Sequence, residues 1–336
     1  MKKTRWQLVV LLSILAASSR AAQVESTSEN FVGSAAQIAG NGGAGARLSI
    51  FSMRMVRPVC YAGSISTVET AALTDAGSTW TNNQFSGTNG SFYVDFDSGL
   101  LADIVSADGA AKRLSFTANL PASVTVGSKY KIRRHLTLAG AFGPNNESGL
   151  LAGQNPADAD NVLLHDAQSQ ETRTYFFLNL PGFTGWYRTD YSPAADTVVY
   201  PEQGVMIRRK TDAALMLAWA GAAKKGPTMV PVFPGYNLVG TLRTRTSLRL
   251  ADLNLLTGDI VTGFATGNNS TDADTVLLLN ADGSTTTYFY SDYPGFTGWY
   301  DSTYRVATDV PVAPGTAFFL NRKAPRAVFY WSIPGE

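Results

Sequence analysis

The sequence predicts an all-β fold of small tandem modules, barrel-like or sandwich-like, with internal duplication and a few short helical turns. Three observations carry that expectation. Apolar and β-branched runs of about five to eight residues alternate with clusters of Gly, Pro, Asn and Asp, the pattern of short strands joined by turns. No segment sustains a 3.6-residue hydrophobic period for long. The string PGFTGWY occurs twice, at Pro181 to Tyr187 and at Pro294 to Tyr300, which marks an internal repeat.

The chain opens with Lys2, Lys3 and Arg5, then an apolar stretch from Leu8 to Ala17, then mostly small residues to Ala22. That is the pattern of a secretory signal peptide over residues 1–22, cleaved near Ala21/Ala22; a membrane span needs about 20 apolar residues. No later run meets that length, so no transmembrane segment is expected. The expected location is periplasmic, outer-surface or extracellular. Removing residues 1–22 takes away four basic residues and leaves 23 Lys+Arg against 26 Asp+Glu, a net charge of −3. That balance argues against nucleic acid as a partner. Cys60 is the only cysteine, so stability must come from a packed core, and Cys60 itself reads as a small buried hydrophobe.

Residues 23–47 are rich in Ser, Gly, Ala and Asn and read as a flexible lead-in, with order beginning near Leu48. An N-terminal β module is expected over 48–135. Its strands fall at Ser91 to Asp97, around Ile104, at Leu114 to Thr117 and at Tyr130 to Arg133. Repeat unit A follows at 136–221. Thr137 is positioned to cap a helical turn from Leu138 to Phe142 that Gly143 stops, and strands are expected near 197–200, 204–209 and 214–219. A Gly, Lys and Pro-rich stretch, 222–234, reads as a linker. Repeat unit B, 235–336, runs through the same order: a helical turn capped by Ser247 and stopped by Gly258, a DAD strand, a strand at Thr285 to Tyr290, and PGFTGWY. The DAD strings lie 114 residues apart and the PGFTGWY strings 113 apart, so the register of the two copies is nearly unbroken. A basic pair closes a strand three times, at Arg133/Arg134, Arg209/Lys210 and Arg322/Lys323, hinting at a third, diverged copy in the N-terminal module. Such pairs read as solvated strand ends, with an anion site as the alternative.

The strand SFYVDFDSG, the run YKIRRHLTLAGAFG, the two DAD-x-V strands, the GWY elements and PGYNLVGTL together resemble a paralogous family of secreted, uncharacterised bacterial β-rich repeat proteins of verrucomicrobial type. The resemblance covers roughly residues 48–333. It implies export and a β-repeat architecture, and it carries no catalytic residue over to this chain.

For chemistry, His135 and His165 are the only histidines, and no motif supplies partners for a triad or a zinc site, so both read as surface or strand residues. No catalytic residue is singled out. In the DAD strings, Asp158 and Asp160, like Asp272 and Asp274, lie two apart and would share a face of an extended strand. With neighbouring asparagines they are candidate ligands for Ca²⁺. Aspartates at a strand entry also cap turns, the competing reading. Trp186, Tyr187, Trp299 and Tyr300 are candidate sugar-stacking residues; in the competing reading one of each pair fills the core with Phe183 or Phe296 and the other covers a neighbouring strand. The function expected first is a non-enzymatic structural or adhesion protein, self-associating or tied to a cell-surface polysaccharide. A carbohydrate-binding module comes second and a secreted hydrolase third.

Overall fold

The computed structural model describes residues 31–42, 46–242 and 246–335. The expected signal peptide and cleavage site lie outside the described residues. Strands dominate, as expected of an all-β chain, and among the described residues there is one α-helix.

Repeat unit A is built from β1 (Phe31–Ile38), β2 (Arg47–Ser52), β10 (Leu136–Thr137), α1 (Leu138–Phe142), β11 (Asn161–Asp166), β12 (Glu171–Leu180), β13 (Phe183–Arg188), β14 (Val198–Val199), β15 (Gly204–Arg209) and β16 (Leu215–Ala222). Nested in the chain between β2 and β10 is the N-terminal module: β3 (Val59–Ser64), β4 (Thr67–Glu69), β5 (Ala72–Thr74), β6 (Phe92–Phe96), β7 (Leu101–Asp108), β8 (Arg113–Phe116) and β9 (Lys129–Arg134). Unit B contains β17 (Thr228–Val232), β18 (Gly235–Gly240), β19 (Leu248–Arg249), β20 (Thr275–Leu279), β21 (Thr285–Ser291), β22 (Gly298–Asp301), β23 (Pro311–Val312), β24 (Ala317–Arg322) and β25 (Phe329–Ile333).

The main sheets share one topology. Unit A orders its strands β2-β15-β11-β12-β13 and unit B orders them β18-β24-β20-β21-β22. In chain order the first strand pairs with the fifth, the fifth with the second, and the second, third and fourth follow in turn, all antiparallel. The N-terminal sheet repeats this as β3-β9-β6-β7-β8, with the β4–β5 hairpin added beyond β8. The common strand order supports the hint of a third, diverged copy.

Three expected boundaries move. Residues 31–38, expected inside a flexible lead-in, form β1 and pair along its length with β16. Their Gly, Ser and Ala residues misled on composition: small side chains leave room for Leu217 and Trp219 opposite, while Ile38 is buried in the same core. Arg47–Ser52, expected to open the N-terminal module, instead closes the sheet of unit A against β15. The expected linker 222–234 shrinks, because Thr228–Val232 pairs with β25 as β1 does with β16. Lys224, in what remains of it, is buried and bonds Asp95 Oδ1 of the N-terminal module at 2.8 Å.

Local chemistry explains the short helices. Thr137 Oγ1 accepts from the Gly140 amide at 3.1 Å, and Gly143 ends the turn at φ +90°, as expected. In unit B the turn is shorter than expected, a 3₁₀ turn at Leu250–Leu253. Its cap is Arg249, whose amide donates to Asp252, rather than Ser247; left-handed Asn254 stops it. Both turns are tied to the last strand of their unit. The indole of Trp219 donates to Ala141 O at 2.7 Å, and that of Trp331 to Leu253 O at 2.5 Å.

Alternation along the strands sorts side chains between cores. Val162, Leu164, Tyr175, Phe177, Val205 and Ile207 point into the core of unit A. Leu163 and Met206 point the other way and meet Leu238 and Ala317 of unit B, so the two five-stranded sheets pack against each other. Close approach is required there: a Cβ on Gly240 would stand 2.1 Å from Ser52 Cβ.

Candidate functional site

The duplicated motifs resolve into architecture. Trp186 is 2% exposed, packs edge-on against Phe177 and donates its indole N–H to Gly143 O at 2.8 Å; Trp299 is 3% exposed and packs edge-on against Tyr290. Tyr187 and Tyr300 are half-buried, Tyr187 against Phe176 and Leu178, and Tyr300 beside Phe289. The tryptophans therefore fill the two cores and present no face to a ligand. Phe183 and Phe296, expected to help fill those cores, stand instead at the hairpin tips, 63% and 62% exposed. The tip geometry accounts for this. Pro181 and Gly182 (φ +83°) form the entire connection between β12 and β13, so Phe183 lies opposite Leu180 at the open end of the pair.

The DAD strings are turns and not extended strands, so their aspartates face apart: Asp158 and Asp272 are exposed, while Asp160 and Asp274 are buried. Each buried carboxylate is saturated. Asp160 accepts from the amides of Leu151 (2.8 Å) and Lys210 (2.8 Å) and from Arg209 Nη1 (2.5 Å). Asp274 accepts from the amides of Ala265 (2.9 Å) and Lys323 (2.7 Å), from Arg326 Nη1 (2.7 Å) and from Arg322 Nη1 (3.3 Å). The exposed pair takes side-chain bonds from Asn155 and Asn269, holding the turn. With the buried carboxylates committed to arginine, the four aspartates do not converge as a cation site. The basic pairs are corrected by the same contacts. Arg133, Arg209 and Arg322 are buried ion-pair partners of Asp95, Asp160 and Asp274, not solvated strand ends.

What the repeats do not share gathers elsewhere. A cleft of about 560 Å³ opens where the N-terminal module, unit A and unit B meet, a volume within the usual range of small-ligand sites. Asp103 of β7 and His135, which follows β9, enter from the N-terminal module. His165 and Asp166 at the end of β11, with Tyr200 and Glu202 before β15, enter from unit A. Asn237 and Tyr330 come from unit B.

His165 lies on β11, as expected of a strand residue, and His135 follows β9; both are buried, at 7% and 5% exposure. His165 Nε2 donates to Tyr236 O at 2.8 Å and its Nδ1 bonds Thr172 Oγ1 at 3.0 Å, so the ring clamps the two repeats together. His135 is different. Its Nε2 meets Asp103 Oδ1 at 2.9 Å, and its Nδ1 is enclosed with no hydrogen-bond partner. The ring lies between Tyr93 (centroids 4.7 Å apart) and Tyr200 (5.2 Å, edge-on). Asp103 Oδ2 accepts from the Tyr200 hydroxyl at 2.8 Å.

The electrostatics divide the two carboxyls. Burial alone would push Asp103 up, but the hydrogen bonds and charge of His135, with the bond from Tyr200, hold its carboxyl below the usual range. Burial and the Asp103 charge push the Tyr200 phenol up. Glu202 is half-buried overall, yet its Oε2 is enclosed without a partner. Burial, reinforced by the Asp103 charge and only partly opposed by its own amide and Lys224, pushes its carboxyl up to about 7. The two carboxyls are thus pushed in opposite directions, Asp103 towards the ionised form and Glu202 towards the acid.

The signal that marks these residues in the sequence is divergence between the copies. At the aligned positions of unit B, His165 and Asp166 are replaced by Leu279 and Asn280, and Tyr200 and Glu202 by Ala313 and Gly315. The cleft thus gathers these departures beside residues the copies share, such as Leu164 and Tyr175, matched by Leu278 and Tyr288. No protein-family model, curated protein or solved structure matches the chain.

Proposed function

We propose that the protein is an exported, surface-associated β-repeat protein that binds carbohydrate in the cleft between its three modules. The observation that carries this reading is the cleft itself, enclosed by three modules and lined by polar side chains beside an exposed aromatic ring. Its lining suits a hydroxyl-rich ligand. The carboxylates of Asp103 and Asp166 and the Gln203 side chain offer polar partners, and the Tyr330 ring, 45% exposed, offers a flat apolar face. Arg173 is the one guanidinium on the lining and already lies 3.4 Å from Glu171, so an anionic polymer is not favoured. Export rests on the N-terminal sequence pattern.

The reading is tested by affinity electrophoresis of the full chain against soluble β-glucan, xylan, mannan, α-glucan and chitosan. Wild-type protein is expected to be retarded by at least one polymer, and Tyr330→Ala to weaken that retardation by about tenfold. Absence of binding to all five would sink the reading. So would binding lost in a Phe183→Ala/Phe296→Ala double variant and kept in Tyr330→Ala, which would move the ligand to the hairpin tips.

A further inference from the structure

The cleft holds more than a binding surface needs. A receptor for neutral hydroxyls gains nothing from an enclosed, unpartnered carboxyl oxygen, and leaving one unsatisfied costs about 1–3 kcal/mol. Glu202 carries such an atom, on a short segment between β14 and β15 that is held from both sides. Its carbonyl accepts from the Gly240 amide at 2.8 Å, and the next residue, Gln203, donates through Nε2 to His165 O at 2.8 Å. On the same lining, the Asp103 side chain is one-third exposed, with one oxygen oriented by His135 and the other by Tyr200. One carboxyl is shielded and the other is open to water and fixed in orientation; both line a single cavity.

We propose that the cleft hydrolyses glycosidic bonds, Glu202 giving its proton to the leaving oxygen while Asp103 takes a proton from the attacking water. This rests on the carbohydrate reading of the cleft and adds a reaction to it. In the step, the water oxygen forms a bond to the anomeric carbon as the bond from that carbon to the bridging oxygen breaks. The bridging oxygen departs as an alcohol with the proton from Glu202, and the water proton passes to Asp103. Glu202 is left as a carboxylate and Asp103 as an acid, and exchange with solvent restores both. Burial raises Glu202 and the His135 and Tyr200 contacts lower Asp103, the directions this step requires. His135 is a positioning residue, because it acts on Asp103 and not on the sugar. The other charged or titratable groups on this lining are Tyr93, Tyr175, Tyr200, Tyr330, Asp166, Arg173 and His165, and the charge of Lys224 also acts on Glu202. The proposal departs from the expectation of a non-enzymatic protein.

The test separates binding from turnover. Full-length wild-type protein, Glu202→Gln and Asp103→Asn are incubated with the five polymers named above, retardation and released reducing ends being measured on the same samples. Wild type is expected to release reducing ends from a polymer it binds. Glu202→Gln, isosteric with the protonated acid, is expected to fold normally and bind within about twofold, but to cleave at least about 100-fold more slowly. On a 2,4-dinitrophenyl glycoside of the same sugar, whose leaving group needs no proton, Glu202→Gln should recover most of the wild-type rate, and Asp103→Asn should not. Binding without reducing ends overturns this inference and leaves the binding reading intact. Equal cleavage by wild type and Glu202→Gln also overturns it. Failure to bind any polymer overturns the carbohydrate reading, and this inference with it.

Discussion

Replacing Glu202 by glutamine preserves the shape of the side chain and removes its ability to ionise, so it isolates the cost of placing a carboxylate in the cleft. In the unfolded chain this group titrates near 4.5; in the folded protein burial pushes it up to about 7. Between those values the folded state holds a proton that the unfolded state has released. Stability is therefore complete below about pH 4.5, falls as pH rises, and levels off above about 7. The full gap corresponds to about 3 kcal/mol, and solvent access to the half-buried residue reduces the expected loss to roughly 1–3 kcal/mol. The assay is urea unfolding followed by tryptophan fluorescence at pH 5 and pH 8.5, for wild type and Glu202→Gln. At pH 5, where the loss has only begun, the two proteins should differ by less than about 1 kcal/mol, and the gap in favour of the variant should widen at pH 8.5. Parallel pH dependences for both would refute the assignment of a raised carboxyl at Glu202.

Four further outcomes are expected. Asp274→Ala strips a buried carboxylate from Arg322, both side chains being fully buried, and should cost about 3–5 kcal/mol in urea unfolding. Trp186→Ala should cost about 3–5 kcal/mol, and Phe183→Ala, three residues earlier in the same motif, less than about 0.5 kcal/mol. Added Ca²⁺ or EDTA should leave the melting temperature unchanged, because Asp160 and Asp274 are spent on arginine; a rise with Ca²⁺ would return the DAD turns to metal binding. If the cleft is hydrolytic, its rate should fall as pH rises through about 7 and Glu202 loses its proton, and a rate that keeps rising would contradict that role.

Much of the scaffold was legible because local rules govern it. The Thr137 cap and Gly143 stop bracket α1 as the residues themselves require, and β6, β8, β9 and β15 fall where alternation places them. β1 was missed because its small residues acquire a strand's character only from Leu217 and Trp219 on the strand opposite. The buried arginines were missed for a related reason. A basic pair ending a strand looks solvated until an aspartate some 50 residues away, such as Asp160 for Arg209, is seen to be folded beneath it.

By itself the sequence determined the class of fold, the duplication, and the corner, cap and turn residues that each copy reuses, because these depend on residues close together in the chain. Only the tertiary structure decided that the Trp of PGFTGWY turns inward while its Phe stands at the tip. It alone also brought Asp103, His135, Tyr200 and Glu202 to one cleft from positions up to 99 residues apart. The physical reason is that burial, and with it the protonation of Glu202 and the orientation of Asp103, is a property of what three modules enclose together and of no single segment.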